Sequence, residues 1–212
     1  MSGFNPVEKR IAGFLSKHPG MKRRIKKMYS SINYFIYKKD YTCKTDLTPE
    51  KVVSKPTNES FFGYYDKSPL SPDGKYIIFH ETDGIVSHLP PEGKNTVKIM
   101  LFDTEKNRYE HISETSAYNW QQGSKLQWLN KNEIIFNDIE NRNAFARIIN
   151  IATNSSRTIE CPIYDCFRDK YALNLSFERL NMIDPDYGYA ELQNRSTKSI
   201  SEDGIFYTDL KT

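Results

Sequence analysis

The chain is poor in cysteine and histidine: its 212 residues hold three cysteines (Cys43, Cys161, Cys166) and four histidines. No CxxC spacing occurs, and an odd, scattered set argues against a disulfide framework or a structural zinc site. Three unrelated thiols fit a reducing compartment. Long apolar runs are also missing. The longest candidate, residues 34–37, falls far short of the roughly 20 apolar residues a membrane span needs. The N-terminus lacks an apolar segment followed by a small-residue cleavage site, so no secretory signal is expected. Neither sign of charge dominates. Lys and Arg number 30 against 27 Asp and Glu, for a net charge of +3, which gives no global argument for nucleic acid. Nucleophile elbows, Gly-rich phosphate loops and metal-binding helix motifs are absent. No metal or other cofactor is expected.

What the chain does have is a repeat. Residues 99–107 (IMLFDTEKN) read as a strand running into a polar turn. The pattern recurs over residues 148–156 (IINIATNSS), with Ala152 and Thr153 where Asp103 and Thr104 stand, and again over residues 205–212 (IFYTDLKT). The spacing is roughly 50 residues, the upper end of the range for propeller blades. The third copy stops where its turn should begin, so the reading is the N-terminal part of a β-propeller, closed by a longer form.

Basic residues crowd the first part: Lys17, Lys22, Arg23, Arg24, Lys26, Lys27, Lys38 and Lys39. A short helix is predicted over residues 5–17, a break at Pro19 and Gly20, and a second helix over residues 21–39. Met21, Ile25, Met28, Tyr29, Ile32, Phe35 and Ile36 fall at helical spacing, opposite the Lys/Arg cluster. Residues 40–60 read as a polar linker. From Phe61 onward short strands alternate with polar turns, without intervening helices, which argues for an all-β meander. Inner turns are expected at 72–74 and 130–132. A third unit is expected from Tyr171, interrupted by an irregular loop over residues 178–199. The organisation is therefore a basic helical segment and linker (1–55), then a partial propeller (56–212) with blades near 61–118, 119–170 and 171–212.

Residues 71–79 (SPDGKYIIF) resemble the repeat of TolB-like, WD40-like propellers, in which such a motif marks the turn between a blade's inner strands. Residues 62–69 (FGYYDKSP), 119–123 (NWQQG) with 126–128 (LQW), and 177–180 (FERL) with 187–189 (YGY) resemble signatures of bacterial propeller proteins associated with capsule and surface-polysaccharide gene clusters. The resemblance spans about residues 17–212. It implies a non-catalytic binding or scaffold module in cell-surface polysaccharide biosynthesis, with a glycan or glycan-biosynthesis proteins as partners. A more distant resemblance, to oligogalacturonate lyases, implies the alternative of a glycan-active enzyme. The His/Gln metal set of those lyases does not map onto His80, His88 and His111. Before Tyr187 this chain also carries Asp184, Pro185 and Asp186 in place of a basic residue and glycine.

Candidate ligand residues follow from side-chain chemistry. Tyr64, Tyr65 and Asp66 precede the first innermost strand, and Trp120, Gln121 and Gln122 precede the second. Aromatic faces stack on sugar C–H groups while carboxylates and amides take hydroxyls. The same residues also suit packing between blades. Arg179 and Tyr187 belong to the third signature; Arg179 suits an acidic sugar, a phosphate or an internal carboxylate. Asp184 and Asp186 read as solvated turn residues more than as an acid–base pair. The basic helix has two readings: docking on anionic lipid through Lys22, Arg23, Arg24, Lys26 and Lys27, or packing of its apolar face on the propeller. Nucleic acid is not expected. The expected location is cytoplasmic, at the inner face of the membrane if the helix docks there. An open arc of blades is expected to self-associate through its edge.

Overall fold

The structure is a computed structural model that describes residues 19–39, 42, 50–84, 90–192 and 203–211. The helix predicted over residues 5–17, together with Cys43 and His88, lies outside that set. The chain divides at Glu50 and Lys51 into two compact units.

In the first unit the described element is one helix, α1 (Pro19–Tyr37). Pro19 and Gly20 are helical rather than a break; proline's fixed φ is itself a helical value. Met28, Tyr29, Ile32, Phe35 and Ile36 share one face and are all exposed. Arg24, Lys26 and Lys27 are exposed as well. The backbone of Lys22 and Arg23 is helical, and their side chains lie outside the described set. No described helix is long and apolar enough to cross a membrane.

The second unit is mostly β, in three antiparallel sheets. The first is β1 (Glu59–Phe61), β2 (Tyr76–Thr82), β3 (Val97–Asp103) and β4 (Arg108–Thr115). The second is β5 (Gln127–Trp128), β6 (Glu133–Glu140), β7 (Asn143–Asn150) and β8 (Ser155–Ile159). The third is β9 (Ile163–Phe167), β10 (Tyr171–Asn174) and β11 (Phe206–Asp209). Strands within each sheet pair in sequence order; short polar turns join β3 to β4, β6 to β7, β7 to β8 and β9 to β10. The third sheet begins at Ile163, earlier than the Tyr171 read from sequence. Its first strand carries Tyr164 and Asp165 between apolar residues and offers only a weak alternation.

Strand periodicity explains how the middle sheet is covered on both faces. Ile134, Phe136 and Ile149 point one way and pack with Ile78, Ile99 and Leu101 of the first sheet. Ile135, Ala146 and Ile148 point the other way and pack with Ile163, Ala172 and Leu210 of the third. Each fully buried Ile contributes about 2 kcal/mol.

The repeat is present in hydrogen bonds. Tyr76 pairs with Asp103, Glu133 with Asn150 and Tyr171 with Asp209. Just beyond each pair the same bond closes the corner: Thr104 N to Lys75 O (2.9 Å), Ile151 N to Asn132 O (2.8 Å) and Leu210 N to Lys170 O (2.9 Å). Asp103 Oδ1 then accepts from the N–H groups of Glu105 and Lys106, and Asn150 Oδ1 from those of Ala152 and Thr153. Asp103 therefore corresponds to Asn150, two residues before the Ala152 of the sequence alignment. A shift of two preserves which face each side chain takes, so hydrophobic pattern alone does not reveal it. The turns at 72–74 and 130–132 form as expected: Gly74 N donates to Ser71 O (2.9 Å), and Asn130 Oδ1 accepts from Asn132 N and Glu133 N.

Two segments differ from the sequence reading. Residues 51–58 are not a free linker. Glu81, buried on β2, accepts from Ser54 N, Ser54 Oγ and Asn58 Nδ2 at 2.6–2.9 Å. The loop expected over 178–199 opens instead with a helix, α2 (Phe177–Ile183). Ser176 caps it, its hydroxyl oxygen accepting from Arg179 N at 3.1 Å. Phe177 stacks on Tyr189 with centroids 4.4 Å apart, and Pro185 disfavours continuation.

Candidate functional site

Two glycines bring the first and second signatures into contact. Gly63 (φ +137°) lies against the carbonyl of Gln122, where an added Cβ would stand 2.8 Å from the oxygen. Gly123 (φ +59°) faces back, and a Cβ there would meet Phe62 O at 2.8 Å and the His80 ring closer still. Both positions need the left-handed freedom and small size of glycine. Residues 61–67 and 119–125 thus form one backbone-to-backbone junction.

Asn119 organises the second segment. Its Oδ1 accepts from Gln121 N (3.1 Å) and Gln122 N (2.7 Å), and its Nδ2 donates to Tyr187 O at 3.0 Å. Beneath the junction lies His80, wholly buried and stacked on Phe61 at 4.8 Å. Ser124 N donates to His80 Nε2 at 3.1 Å, which assigns the proton to Nδ1. Burial pushes the His80 pKa down to about 4, so the ring is neutral. Its counterpart on the second sheet, Asn137, accepts from Ile163 N (2.7 Å) and donates to Ile163 O (2.8 Å) and Tyr189 Oη (2.7 Å). On the third sheet Asn174 donates to Pro162 O at 2.9 Å. His80 and Asn137 each tie one sheet to the next.

The junction turns Lys125 inward. Its backbone has φ +60°, a left-handed conformation strained for a long side chain, and the residue is 8 % exposed. The ammonium sits 3.6 Å from the centre of the Tyr164 ring, a cation–π contact. Burial lowers its pKa to about 8, against the opposing pull of Asp66 and Asp165. Those two carboxylates are engaged by Lys67, whose Nζ lies 2.5 Å from Asp165 and 3.7 Å from Asp66. Among the described residues no hydrogen-bond acceptor reaches Lys125 Nζ. Gln122 lies beside it, also 8 % exposed. Its Nε2 donates to Tyr164 Oη at 3.5 Å, and its buried Oε1 has no partner. Tyr64, Asp66, Lys67, Gln122 and Lys125 line one cavity of about 10 Å³, room for one water-sized group.

The other candidates surround this cavity or stand apart from it. Tyr65 is almost fully exposed and stacks on Tyr64 at 5.0 Å. Tyr64 Oη and Tyr187 Oη are 3.3 Å apart, and that hydrogen bond pushes the Tyr187 phenol up to about 12. Gln121 is exposed. Trp120 packs edge-on against Phe61 and Tyr118. Arg179 lies on α2 and pairs with Asp203, the internal carboxylate among its readings. Asp184 caps the end of α2. Among the described residues no group of three His, Cys, Asp or Glu is placed to hold a metal ion.

The sequence reading missed Lys125, Tyr164, Asp165, Asn119 and His80. Lys125 and Asp165 carry no local signal, because the contact joins two sheets. The His80 position does carry one. Residues 77–80 (IIFH) and 134–137 (IIFN) place a single polar residue after the same apolar triplet. No protein-family model, curated protein or solved structure matches this chain.

Proposed function

We propose that the three sheets are blades of a TolB/WD40-like β-propeller, and that the chain is a non-catalytic glycan-binding or scaffold module in bacterial cell-surface polysaccharide biosynthesis. The blade reading is supported by three in-order meanders, a middle sheet covered on both faces, and one corner bond repeated three times. The observation that carries the binding reading is the 61–67/119–125 junction. It holds a strained, buried lysine and a buried amide oxygen that the fold leaves unpaired, beside the exposed ring of Tyr65. Buried polar groups are ordinarily satisfied, and Gln122 Oε1 is one of several buried side-chain atoms without a hydrogen-bond partner among the described residues. The sheet-three face bearing Phe167, Leu173 and Tyr207 is exposed, which supports self-association of the protein at that face.

In this reading α1 docks on anionic lipid on the cytoplasmic side. Its apolar face is exposed beside Arg24, Lys26 and Lys27, the arrangement an interfacial helix uses. The test of the binding reading is calorimetry with bacterial polysaccharide fragments on the wild-type chain and on Tyr64→Ala. Binding weakened ten-fold or more in the folded variant is expected. Unchanged affinity would move the site elsewhere, and release of unsaturated sugar during the titration would favour a lyase.

A further inference from the structure

We propose that the Lys125–Gln122 cavity is a carboxylate subsite, so that the glycan bound here is an acidic one whose carboxylate sits next to a hydroxyl. The inference rests on the glycan reading above and names the class of sugar. Two unpaired groups in the cavity set complementary demands. Lys125 Nζ faces the Tyr164 ring and has no hydrogen-bond acceptor among the described residues; Gln122 Oε1 is a buried acceptor with no donor. A neutral sugar hydroxyl can donate to Gln122 and accept from the ammonium, but it adds no counter-charge to the pull of Asp66 and Asp165. A carboxylate oxygen satisfies the ammonium, and the neighbouring hydroxyl donates to Gln122.

The nearby carboxylates do not fill the role. Asp66 and Asp165 both lie within 4 Å of Lys67 Nζ. No described carboxylate lies that close to Lys125. With its pKa near 8 the amine keeps its charge at neutral pH. The cavity takes one water-sized group, so a single ligand oxygen enters it and the rest of the sugar stays outside. Tyr64 lines the cavity and the exposed Tyr65 stacks on it, which offers aromatic faces to a sugar ring outside the cavity.

The test titrates the full chain with sodium glucuronate, glucose, glucose 6-phosphate and sodium acetate. Calorimetry and the NMR signal of the Gln122 side-chain amide are both followed. Glucuronate should bind about ten-fold or more tightly than glucose or glucose 6-phosphate, as a charge-assisted hydrogen bond implies. Acetate should shift the Gln122 signal. Lys125→Met should erase the preference while glucose still binds. Gln122→Glu, which fixes a negative charge in the same cavity, should erase it too and keeps the lysine. Glucuronate binding no tighter than glucose, with no acetate shift, overturns the carboxylate subsite and leaves the glycan reading standing; a bound water would give this result. A tighter glucose 6-phosphate overturns the choice of carboxylate. Acetate binding that depends on Lys125, with no sugar bound, upholds the subsite and overturns the glycan reading.

Discussion

The Lys125 ammonium lies 3.6 Å from the centre of the Tyr164 ring, and Gln122 Nε2 reaches that tyrosine's hydroxyl at 3.5 Å. One aromatic residue of the third sheet therefore holds both polar groups of a turn that precedes the second. An aromatic face stabilises a cation without neutralising it. The Lys125 charge is thus stabilised without being neutralised by an ion pair.

The neutral His80 makes stability sensitive to acid. Its pKa drops from the usual 6.5 to about 4 on folding. Between those values the unfolded chain binds the proton and the folded chain does not, so stability falls as pH drops from 6.5 towards 4. The loss is about 3 kcal/mol in all. His80→Asn adopts the residue found at the equivalent position, Asn137, and has nothing to titrate. Denaturant melts at pH 7, 5 and 4 should give a shallower decline for the variant. Parallel declines would mean that His80 is not held neutral.

Asn137 is the polar tie between the second and third sheets. Asn137→Ala leaves Ile163 N and Ile163 O without the partners they have now. The expected loss is about 3 kcal/mol, since stranding buried polar groups costs more than losing a net hydrogen bond. Urea unfolding reads it directly. A loss below about 1 kcal/mol would show that the sheets hold together by apolar packing alone.

The basic helix should bind anionic vesicles in a salt-sensitive way. Each Lys or Arg near such a surface is worth about 1 kcal/mol, so Lys26→Gln with Lys27→Gln should weaken binding by roughly 30-fold at low salt. Co-sedimentation with phosphatidylserine and phosphatidylcholine vesicles measures it. Equal sedimentation with both lipids would contradict the docking role of α1.

Local chemistry was legible in the sequence and contacts between sheets were not. Pro72, Asp73 and Gly74 announce their turn because the φ values they favour are those a turn needs. The strand at 97–103 announces itself by its apolar run, Ile99 to Phe102, entering a polar turn, and α1 by its apolar spacing. β9 was missed because Tyr164 and Asp165 break its pattern, and both serve the junction instead. The helix α2 was read as a loop because seven residues give too few turns for periodicity to register. At the candidate site, Tyr64, Asp66 and Gln122, singled out by residue type, line one cavity. Lys125 was not singled out, since its role depends on a left-handed backbone and on a ring supplied from another sheet.

If the junction keeps Lys125 for a ligand and not for the fold, its buried charge costs the folded state stability. Unfolding free energies of wild type and Lys125→Met, measured from pH 7 to 10.5, test it most directly. Below pH 8 both states hold the proton, and the folded protein carries the full penalty of burying it. From pH 8 to 10.5 the folded state releases the proton first, so wild-type stability rises with pH. Lys125→Met should be more stable by about 3 kcal/mol at pH 7, with the gap closing towards pH 10.5. A variant less stable than wild type at pH 7 would make Lys125 a structural residue and not one held for a ligand.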